Sequence, residues 1–512
     1  MDKIAMKSDN LKQINIERIA QFFPNVITEV RDDSGKLKRA IDFDLLKQEL
    51  TSEIVDGENE RYQVSWPGKK EAIRLSNIPS DKVLRPIKED SVDWENTQNL
   101  YIEGDNLEVL KLLQESYMNK IKCIYIDPPY NTGKDFIYKD DFSMGTTQYF
   151  AKCRQDENCN RLSEDSEVHG RFHSGWLTMM YPRLKLARNL LQDDGVIFVS
   201  IDNNELYNLQ WMMNEIFGES NYVETFIWTK TCTPPSLSNK SRKTAEYVLC
   251  YEKNINNIKY YGDKLDNGDA PLLNTGNPIR VLNFPKGTIK FTFCRDGSFK
   301  AGNYDKVEVL NDFDVRDGVN YSEVSLKGAF KWTDEFLLNE IKNGTYFIIK
   351  SSKFSIRFQR VDTEGRYKTP TNMLDVELNK INGIGTNESA VKELEHLGMG
   401  RCFDYPKPVS LIKKIINMIV KDEKEAIVLD FFSGSATTAH AVMEINAYDA
   451  GRRKYIMVQK PEQVPADSIA YKAGYRDICQ IGKERICRAA KKLKEESGID
   501  IDYGFRVYRL DS

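Results

Sequence analysis

The sequence predicts an α/β protein built on an open parallel sheet, and three observations carry this prediction. Apolar runs that end in acidic residues recur along the chain beside segments of helical spacing, at 100–106, 121–131, 196–204 and 426–435. Runs without polar alternation suit strands that are buried on both faces of a sheet. This rhythm stops at about residue 255, where short β-like runs alternate with Gly, Asn and Asp, and it returns at about residue 400. We therefore expect one core in two halves around an inserted β-rich module.

The changes of pattern predict four segments. Residues 1–95 form a mostly helical N-terminal extension, in which Arg85-Pro86-Ile87 predicts a turn. The core halves are residues 96–255 and 396–512, and the inserted module is residues 256–395.

Composition narrows the classes of function. The 512 residues include 73 basic and 77 acidic ones, so a nucleic-acid partner would need a local basic patch on a near-neutral chain. The nine cysteines are odd in number and scattered, which indicates reduced thiols and a cytoplasmic protein. No stretch approaches the roughly 18 apolar residues of a membrane span, so we expect no membrane partner.

The strand predicted at 121–126 ends in a rigid acidic and aromatic turn. Pro128 and Pro129 cannot continue a hydrogen-bonded ladder, so the backbone must turn there. Asp127 and Tyr130 are then held at the carboxyl edge of the sheet, where open α/β folds bind ligands. An acceptor beside an aromatic face suits a flat ring that carries an amino group. An isolated Asp-Pro-Pro turn would have no such meaning, but the preceding strand and the motif at 430–435 favour a site.

Two further strand ends are predicted at the same edge. Asp105 and Asn106 follow the strand at 100–102 and begin a helix, so Asp105 is either a helix cap or a ligand contact, and both roles can coexist. Gln459 ends the strand at 455–459, where doubly wound nucleotide-binding sheets place a ribose-binding acid.

The segment after the strand at 426–429 predicts a cofactor cradle. Asp430 is followed by small residues, and Gly434 and Ser435 let the backbone approach a ligand at the start of the next helix. His440 lies on that helix, where packing or capping is the simpler role.

A metal site is not predicted. Cys153, Cys159, His169 and His173 loosely imitate a zinc finger, but five residues between the cysteines and nine before the first histidine match no standard spacing.

Basic and aromatic residues interleave in the inserted module. This mixture suits phosphate contacts, and a charged outer face on a small sheet would give the same pattern. The residues are Lys350, Lys353, Arg357, Arg360, Arg366 and Lys368 with Tyr346, Phe347, Phe354, Phe358 and Tyr367.

These motifs together resemble a known family. Residues 127–130, after an apolar strand, are similar to the catalytic motif of amino-directed DNA methyltransferases, and residues 430–435 resemble their S-adenosylmethionine motif. Residues 403–408 resemble the motif that precedes it. The catalytic motif comes about three hundred residues before the cofactor motif, which is the permuted order of the β class. Stretches that further resemble the modification subunit of type III restriction–modification systems lie at 101–110, 170–174, 179–184 and 193–198.

The resemblance implies a circularly permuted Rossmann-like methyltransferase sheet with an inserted target-recognition domain. It also implies site-specific transfer of a methyl group from S-adenosylmethionine to N6 of an adenine flipped out of duplex DNA. The implied catalytic residues are Asp127, Pro128, Pro129 and Tyr130. The implied cofactor-binding residues are Asp105, Asn106, Pro408, Asp430, Phe432, Gly434, Ser435 and Gln459.

Other functions and partners stay open. Methylation of N4 of cytosine uses the same motif frame, although Asp127 favours adenine because cytosine enzymes more often carry Ser there. A DNA-binding regulator with an inactive core is a second alternative, against which the intact motif argues, and RNA is a weaker third substrate. The implied partners are duplex DNA, a second copy of the chain and a restriction endonuclease/helicase subunit, unless the chain is a solitary relative of such systems.

Two departures from the family pattern concern the cofactor. Ala436 replaces the second glycine of the usual loop, so we expect that the backbone there does not need a positive φ. Gln459 stands where many relatives carry an acid, so its contact to a ribose would be an uncharged one.

Overall fold

A computed structural model describes residues 11–31, 37–50, 64–132, 164–234, 240–264, 269–360, 367–375 and 383–511. The chain divides into two compact units. The first comprises Met1–Tyr261 with Pro370–Ser512, and the second is Gly262–Thr369.

Helices of the described residues lie mainly in the first unit. They are α1 (Leu11–Phe22), α2 (Phe43–Leu50), α3 (Lys69–Asn77), α4 (Asn106–Tyr117), α5 (Glu164–Leu190), α6 (Leu206–Phe217), α7 (Asp334–Lys342), α8 (Asn387–His396), α9 (Val409–Val420), α10 (Thr437–Asp449), α11 (Ile469–Lys472) and α12 (Ile478–Ser497).

Strands occur in both units. Those of the first unit are β1 (Ile27–Arg31), β2 (Leu37–Ile41), β3 (Val83–Val92), β4 (Leu100–Glu103), β5 (Ile121–Ile126), β6 (Leu191–Ile201), β7 (Tyr222–Thr229), β8 (Ala245–Glu252), β20 (Met373–Leu374), β21 (Ile427–Asp430), β22 (Lys454–Gln459) and β23 (Phe505–Asp511). Those of the second unit are β9 (Ala270–Pro271), β10 (Arg280–Phe284), β11 (Ile289–Phe291), β12 (Gly297–Phe299), β13 (Gly302–Tyr304), β14 (Val307–Val309), β15 (Phe313–Arg316), β16 (Val319–Asn320), β17 (Val324–Gly328), β18 (Tyr346–Ile349) and β19 (Ile356–Gln359).

A ten-stranded sheet forms the core of the first unit, in the order β20–β7–β8–β6–β5–β21–β22–β4–β23–β3. The strands from β6 to β23 in this order run parallel. Strands β21 and β22 come from the second half of the chain, yet they lie between β5 and β4 from the first half. The two halves therefore build one sheet, and the predicted α/β class is confirmed. The carboxyl ends of β5 and β21 adjoin at its centre, where this kind of sheet binds ligands.

The N-terminal segment contains strands in addition to the predicted helices. Strands β1 and β2 form an antiparallel pair, and β3 is the edge strand of the main sheet beside β23. Pro86, predicted to lie in a turn, is inside β3 opposite Tyr508. An edge strand tolerates proline because its outward N–H groups need no partner in the sheet. Most β3 side chains are exposed, so the sequence has no apolar run there.

The second unit holds two sheets and helix α7. Their strand orders are β10–β17–β14–β13 and β12–β15–β16–β11–β18–β19–β9. Phe354 is fully buried among the rings of Phe291, Phe299 and Phe313. This unit is shorter than the predicted 256–395 module because β20 and α8 belong to the first unit.

The basic and aromatic mixture of the inserted module separates by role in the structure. Phe347 and Phe354 are core residues with no exposed surface. Lys350 and Arg357 both pair with Asp269, and Arg366 lies outside the described residues. Core packing and surface ion pairs thus explain much of this pattern without nucleic acid.

Within the described part of the chain, no helix combines the length and the apolar character needed to cross a membrane.

Gly482 of α12 packs closely against Tyr101 and the loop after β21. A methyl group added there would lie 2.6 Å from the buried Tyr101 hydroxyl and 3.3 Å from the Gly434 carbonyl oxygen. We expect Gly482→Ala to lower the free energy of unfolding by about 1–2 kcal/mol, because overpacking outweighs the gain in helix propensity. Urea unfolding measures this change.

Gly175 in α5 is the matched control, because a methyl group there meets no atom within 4 Å. Gly175→Ala should therefore leave stability unchanged or raise it by up to about 1 kcal/mol. Equal effects of the two substitutions would contradict this account of the packing of α12.

Candidate active site at the carboxyl edge of the sheet

The turn 127–130 begins directly after β5, as the sequence predicts. The Trp176 indole N–H donates to the Pro129 carbonyl oxygen at 2.7 Å. Asn131 adopts a φ of 57° and donates a side-chain hydrogen bond to the fully buried Glu205. These contacts from α5 and the loop after β6 hold the turn in a fixed orientation.

Asp127 is engaged by a lysine that the sequence analysis did not select. The Lys407 ammonium lies 2.9 and 2.8 Å from the two carboxylate oxygens of Asp127. The Tyr130 hydroxyl donates to Asp127 Oδ1 at 2.8 Å, and the Lys407 ammonium lies 5.0 Å from the Tyr130 ring centre. The Asp127 side chain is 27% exposed and that of Lys407 only 8%, so the lysine approaches from the protein side.

Glu246 on β8 is a second carboxylate in this network. It lies 3.5 Å from the Lys407 ammonium, 3.2 Å from the Lys230 ammonium and 3.1 Å from the Tyr130 hydroxyl. Two carboxylates and two ammonium groups therefore balance in charge around Tyr130.

Burial and charge act differently on the two acids. Burial and, to a smaller extent, the Glu246 charge raise the pKa of the Asp127 carboxyl, and the Lys407 ammonium offsets this rise only in part. Burial also opposes ionisation of Glu246, but Lys407 and Lys230 outweigh it and lower the Glu246 pKa. The pKa of Lys407 is raised because Asp127 and Glu246 outweigh the cost of burying its charge. Glu246 is thus the more firmly ionised acid, and Lys407 stays an ammonium.

The predicted cofactor loop follows β21, the parallel neighbour of β5. Asp430 is buried, accepts from the Phe432 backbone N–H at 3.0 Å and from the Thr438 hydroxyl at 2.6 Å. Burial raises the pKa of Asp430 to about 7. Phe432 is buried and its ring contacts that of Phe431.

The expectation for Ala436 is wrong. Its φ is 61° and its ψ 37°, a left-handed conformation, although it carries a side chain. The loop needs this conformation because Ala436 is the N-cap of α10, and the chain must turn sharply from β21 into that helix. The fold therefore accepts the cost of a left-handed alanine.

Gly434 and Gln459 close the loop together. Gly434 has a φ of 50°, and a methyl group there would lie 3.1 Å from the ring of Phe403. Its N–H donates to the Gln459 side-chain oxygen at 2.8 Å, and the Gln459 amide donates to the Lys460 carbonyl oxygen. Gln459 thus supports the cofactor loop, and its predicted contact to a ribose stays a prediction.

Ser435 points its hydroxyl to a fully buried arginine of α12. Arg485 donates to Ser435 Oγ at 2.8 Å and to Thr437 Oγ1 at 2.7 Å. The Ser435 hydroxyl oxygen therefore already serves as an acceptor for Arg485. Arg485 was not selected from the sequence because it lies in a helix whose basic residues resemble a solvated face.

Asp105 and Asn106 have structural partners. Asp105 caps α4 by accepting from the backbone N–H groups of Leu107 and Glu108, and it pairs with Arg183 at 3.2 Å. Asn106 is fully buried and donates to the Phe431 carbonyl oxygen at 2.7 Å. Both residues lie at the predicted edge. Asn106 joins α4 to the cofactor loop and Asp105 joins it to α5, whereas direct ligand contact stays a prediction for both.

Pro408 is buried at the N-cap of α9, one residue after Lys407. Four candidate site residues lie at or just after the carboxyl ends of parallel strands of one sheet, so they meet at one edge: Asp105, Asp127, Asp430 and Gln459.

Of the four residues considered for zinc, Cys153, Cys159 and the side chain of His169 lie outside the described residues. His173 bonds to Glu205 at 2.6 Å.

The cofactor loop has the groups that a methionine-bearing cofactor needs. Ala436 cannot cap α10 with its side chain, so the first N–H groups of the helix are left for a carboxylate. The acids at the same edge suit a cationic sulfonium and amine. The residues present therefore fit S-adenosylmethionine.

The left-handed Ala436 gives a stability prediction. Ala436→Gly should raise the free energy of unfolding by about 1 kcal/mol, because glycine adopts this conformation without the penalty of a Cβ atom. Ala439→Gly, inside α10, is the control and should lower it by about 1 kcal/mol. Urea unfolding compares them, and a loss of stability in both variants would refute the assigned strain.

Asp430 gives a pH prediction. A carboxyl whose pKa is raised on folding contributes full stability below its unfolded value near 4, and this contribution is lost as the pH rises through about 7. The wild-type protein should therefore lose on the order of 4 kcal/mol of stability between about pH 4 and 8 through this carboxyl, and Asp430→Asn should abolish that loss. Unfolding curves of both proteins across this range measure it, and parallel pH profiles would contradict the assigned pKa.

Comparison with known proteins identifies the family. A family model described as DNA methylase matches residues 121–464. The StyLTI Mod subunit, a type III restriction-modification enzyme of Salmonella typhimurium, is 32% identical over 97% of this chain and 74% of its own length. The EcoPI Mod subunit of Escherichia phage P1 is 34% identical over 88% and 72%, and the EcoP15I Mod subunit of Escherichia coli is 31% identical over 89% and 72%. These matches confirm the predicted resemblance. The chain therefore belongs to the DNA methylase family and, within it, to the Mod subunits of type III restriction-modification enzymes.

Proposed function

We propose that this DNA methyltransferase transfers a methyl group from S-adenosylmethionine to N6 of an adenine flipped out of duplex DNA. The observation that carries this proposal is the position of Asp127 and Tyr130, at the end of β5 and beside the cofactor loop after β21. When bound, S-adenosylmethionine supplies an electrophilic methyl group. The remaining chemistry is the work of the chain's own residues.

Asp127 and the Pro128 carbonyl oxygen accept hydrogen bonds from the amino group of the base. These contacts turn the nitrogen lone pair away from the ring and stabilise the positive charge that develops on N6. Tyr130 stacks on the flipped base, and its hydroxyl, bonded to Asp127 and Glu246, orients its ring. After the carbon–nitrogen bond forms, N6 releases a proton, and Asp127 is a suitable acceptor because burial raises its pKa.

The cofactor is held by the loop after β21 and its neighbours. The backbone of Gly434 and Ser435 and the first turn of α10 would hold the methionine part, and Asp430 and Phe432 fix the loop through their own hydrogen bond. Asp105, Asn106, Gln459 and Pro408 complete the site, directly or by holding this loop.

The second unit, 262–369, is proposed to recognise the DNA sequence. Support comes from Tyr321, which is 45% exposed and carries two cations on its ring. The Lys286 ammonium lies 3.8 Å and the Arg316 guanidinium 4.0 Å from the ring centre. Cations beside an exposed aromatic ring suit phosphate and base contacts.

Partners follow from the names of the relatives, which are subunits of larger enzymes. A restriction subunit is the proposed protein partner, with a second copy of this chain as a further one. A cytoplasmic location is proposed with them.

Sequencing of methylated positions in DNA from cells that express this chain tests the proposal. We expect N6-methyladenine in one recurrent sequence context. N4-methylcytosine would establish the rival base, and unmodified DNA from a chain that binds S-adenosylmethionine would favour an inactive DNA-binding protein.

Asp127→Ala should lower methyl transfer at least about 100-fold, because the base loses its acceptor and the charge that stabilises N6. Binding of S-adenosylmethionine, measured by calorimetry, should be retained because the cofactor loop is unchanged. Glu425→Ala is the control, since Glu425 is an exposed acid that precedes β21, at the opposite end of that strand from the site. Full activity of Asp127→Ala on duplex DNA would overturn the assigned role.

A further inference from the structure

Lys407 occupies the position on Asp127 that the proposed function reserves for the base. Its ammonium donates to both carboxylate oxygens, at 2.9 and 2.8 Å. Tyr130 donates to the same carboxylate. An amino group that enters the pocket must therefore compete with a buried ammonium for its acceptor.

A second acceptor for this lysine lies within reach. Glu246 Oε2 already pairs with the Lys407 ammonium at 3.5 Å, so a small side-chain movement would shorten this contact to an ordinary hydrogen bond. Glu246 is buried on β8, a central strand, and it also accepts from Tyr130 and Lys230. A rigid, already ionised carboxylate is thus placed beside the one that the base needs.

We propose that Lys407 holds the place of the target amino group on Asp127 in the free enzyme and passes to Glu246 when the base enters. This inference rests on the proposed function and assigns Lys407 and Glu246 as positioning residues for methyl transfer.

The charge that develops during the reaction requires such a transfer. N6 becomes positively charged as it gains the methyl group, and an ammonium left on Asp127 would repel it and neutralise the carboxylate meant to stabilise it. Moving the ammonium to Glu246 leaves Asp127 free while Lys407 remains paired. No charge is then left unpaired in a buried site.

The difference between the two acids supports this direction of movement. The groups that face Asp127 in the described site are Lys407, Glu246, Tyr130, Tyr125 and Asp430. Burial raises the pKa of Asp127, whereas Lys407 and Lys230 lower that of Glu246. The protonated state of Lys407 also leaves it no lone pair, so it is not itself a methyl acceptor.

A double-variant experiment tests the transfer. Glu246→Gln removes the receiving carboxylate, so Lys407 should remain on Asp127 and kcat should fall at least tenfold. Adding Lys407→Met removes the ammonium that would otherwise stay on Asp127. The kcat of the double variant should therefore recover to within about threefold of that of Lys407→Met alone. Single-turnover methylation of the duplex identified by sequencing measures each rate.

Lys413 and Glu444 provide a matched control, since they form an ion pair of 2.7 Å between α9 and α10, away from the Asp127 network. In this pair, adding Lys413→Met to Glu444→Gln should not raise kcat above that of Glu444→Gln alone. A structural role for the Lys407 network would make the double variant at least as slow as Glu246→Gln. That result, or an unimpaired Glu246→Gln, overturns the proposal.

Cofactor binding and thermal unfolding show whether Glu246→Gln folds. If it does not, the pH dependence of kcat/KM in Lys407→Met tests the proposal instead. Without the ammonium, burial and the Glu246 charge raise the pKa of Asp127 against the Tyr130 hydrogen bond alone, so the acidic limb of kcat/KM should move to higher pH. An unmoved limb overturns the proposal. A wild-type chain that methylates no adenine would instead refute the proposed function.

Discussion

The contact between Asp127 and Lys407 is the constraint on which the site depends. The two residues come from different halves of the core, 280 positions apart in the chain, and they meet at a buried edge of one sheet. A buried charge is tolerated only with a partner, so neither half can form this edge without the other. Glu246 and Tyr130 extend the contact, and the resulting network holds the acceptor for the reaction in a charge-balanced pocket.

The sheet explains why chemistry and cofactor meet despite their distance in sequence. Strands β5 and β21 are parallel neighbours, so the turn after one and the loop after the other must adjoin. The cofactor loop then bends sharply into α10, at the cost of a left-handed Ala436. Arg485 and Gln459 hold the loop in this shape from two further elements. Strain at one residue is therefore balanced by contacts from several.

The sequence predicted features that are local and missed those that are not. Strand ends, acidic turns and the small-residue loop are short patterns, and the structure places Asp127, Asp430 and Gln459 at one edge as expected. Lys407 lies within the motif at 403–408, but no pattern could reveal that its ammonium meets Asp127. Glu246 sits in an apolar strand without any motif around it. The prediction that Ala436 needs no positive φ is wrong because it rests on residue type alone. The left-handed conformation is imposed by the turn into the helix that Ala436 begins.

The central claim is that the amino group of one adenine is the acceptor at Asp127. Two synthetic duplexes test it most directly, one with the target adenine and one with purine, which lacks only the 6-amino group, in its place. The account predicts that tritiated methyl transfer from S-adenosylmethionine occurs on the first duplex and not on the second, while both duplexes bind. Equal transfer to the duplex that lacks the amino group would contradict it.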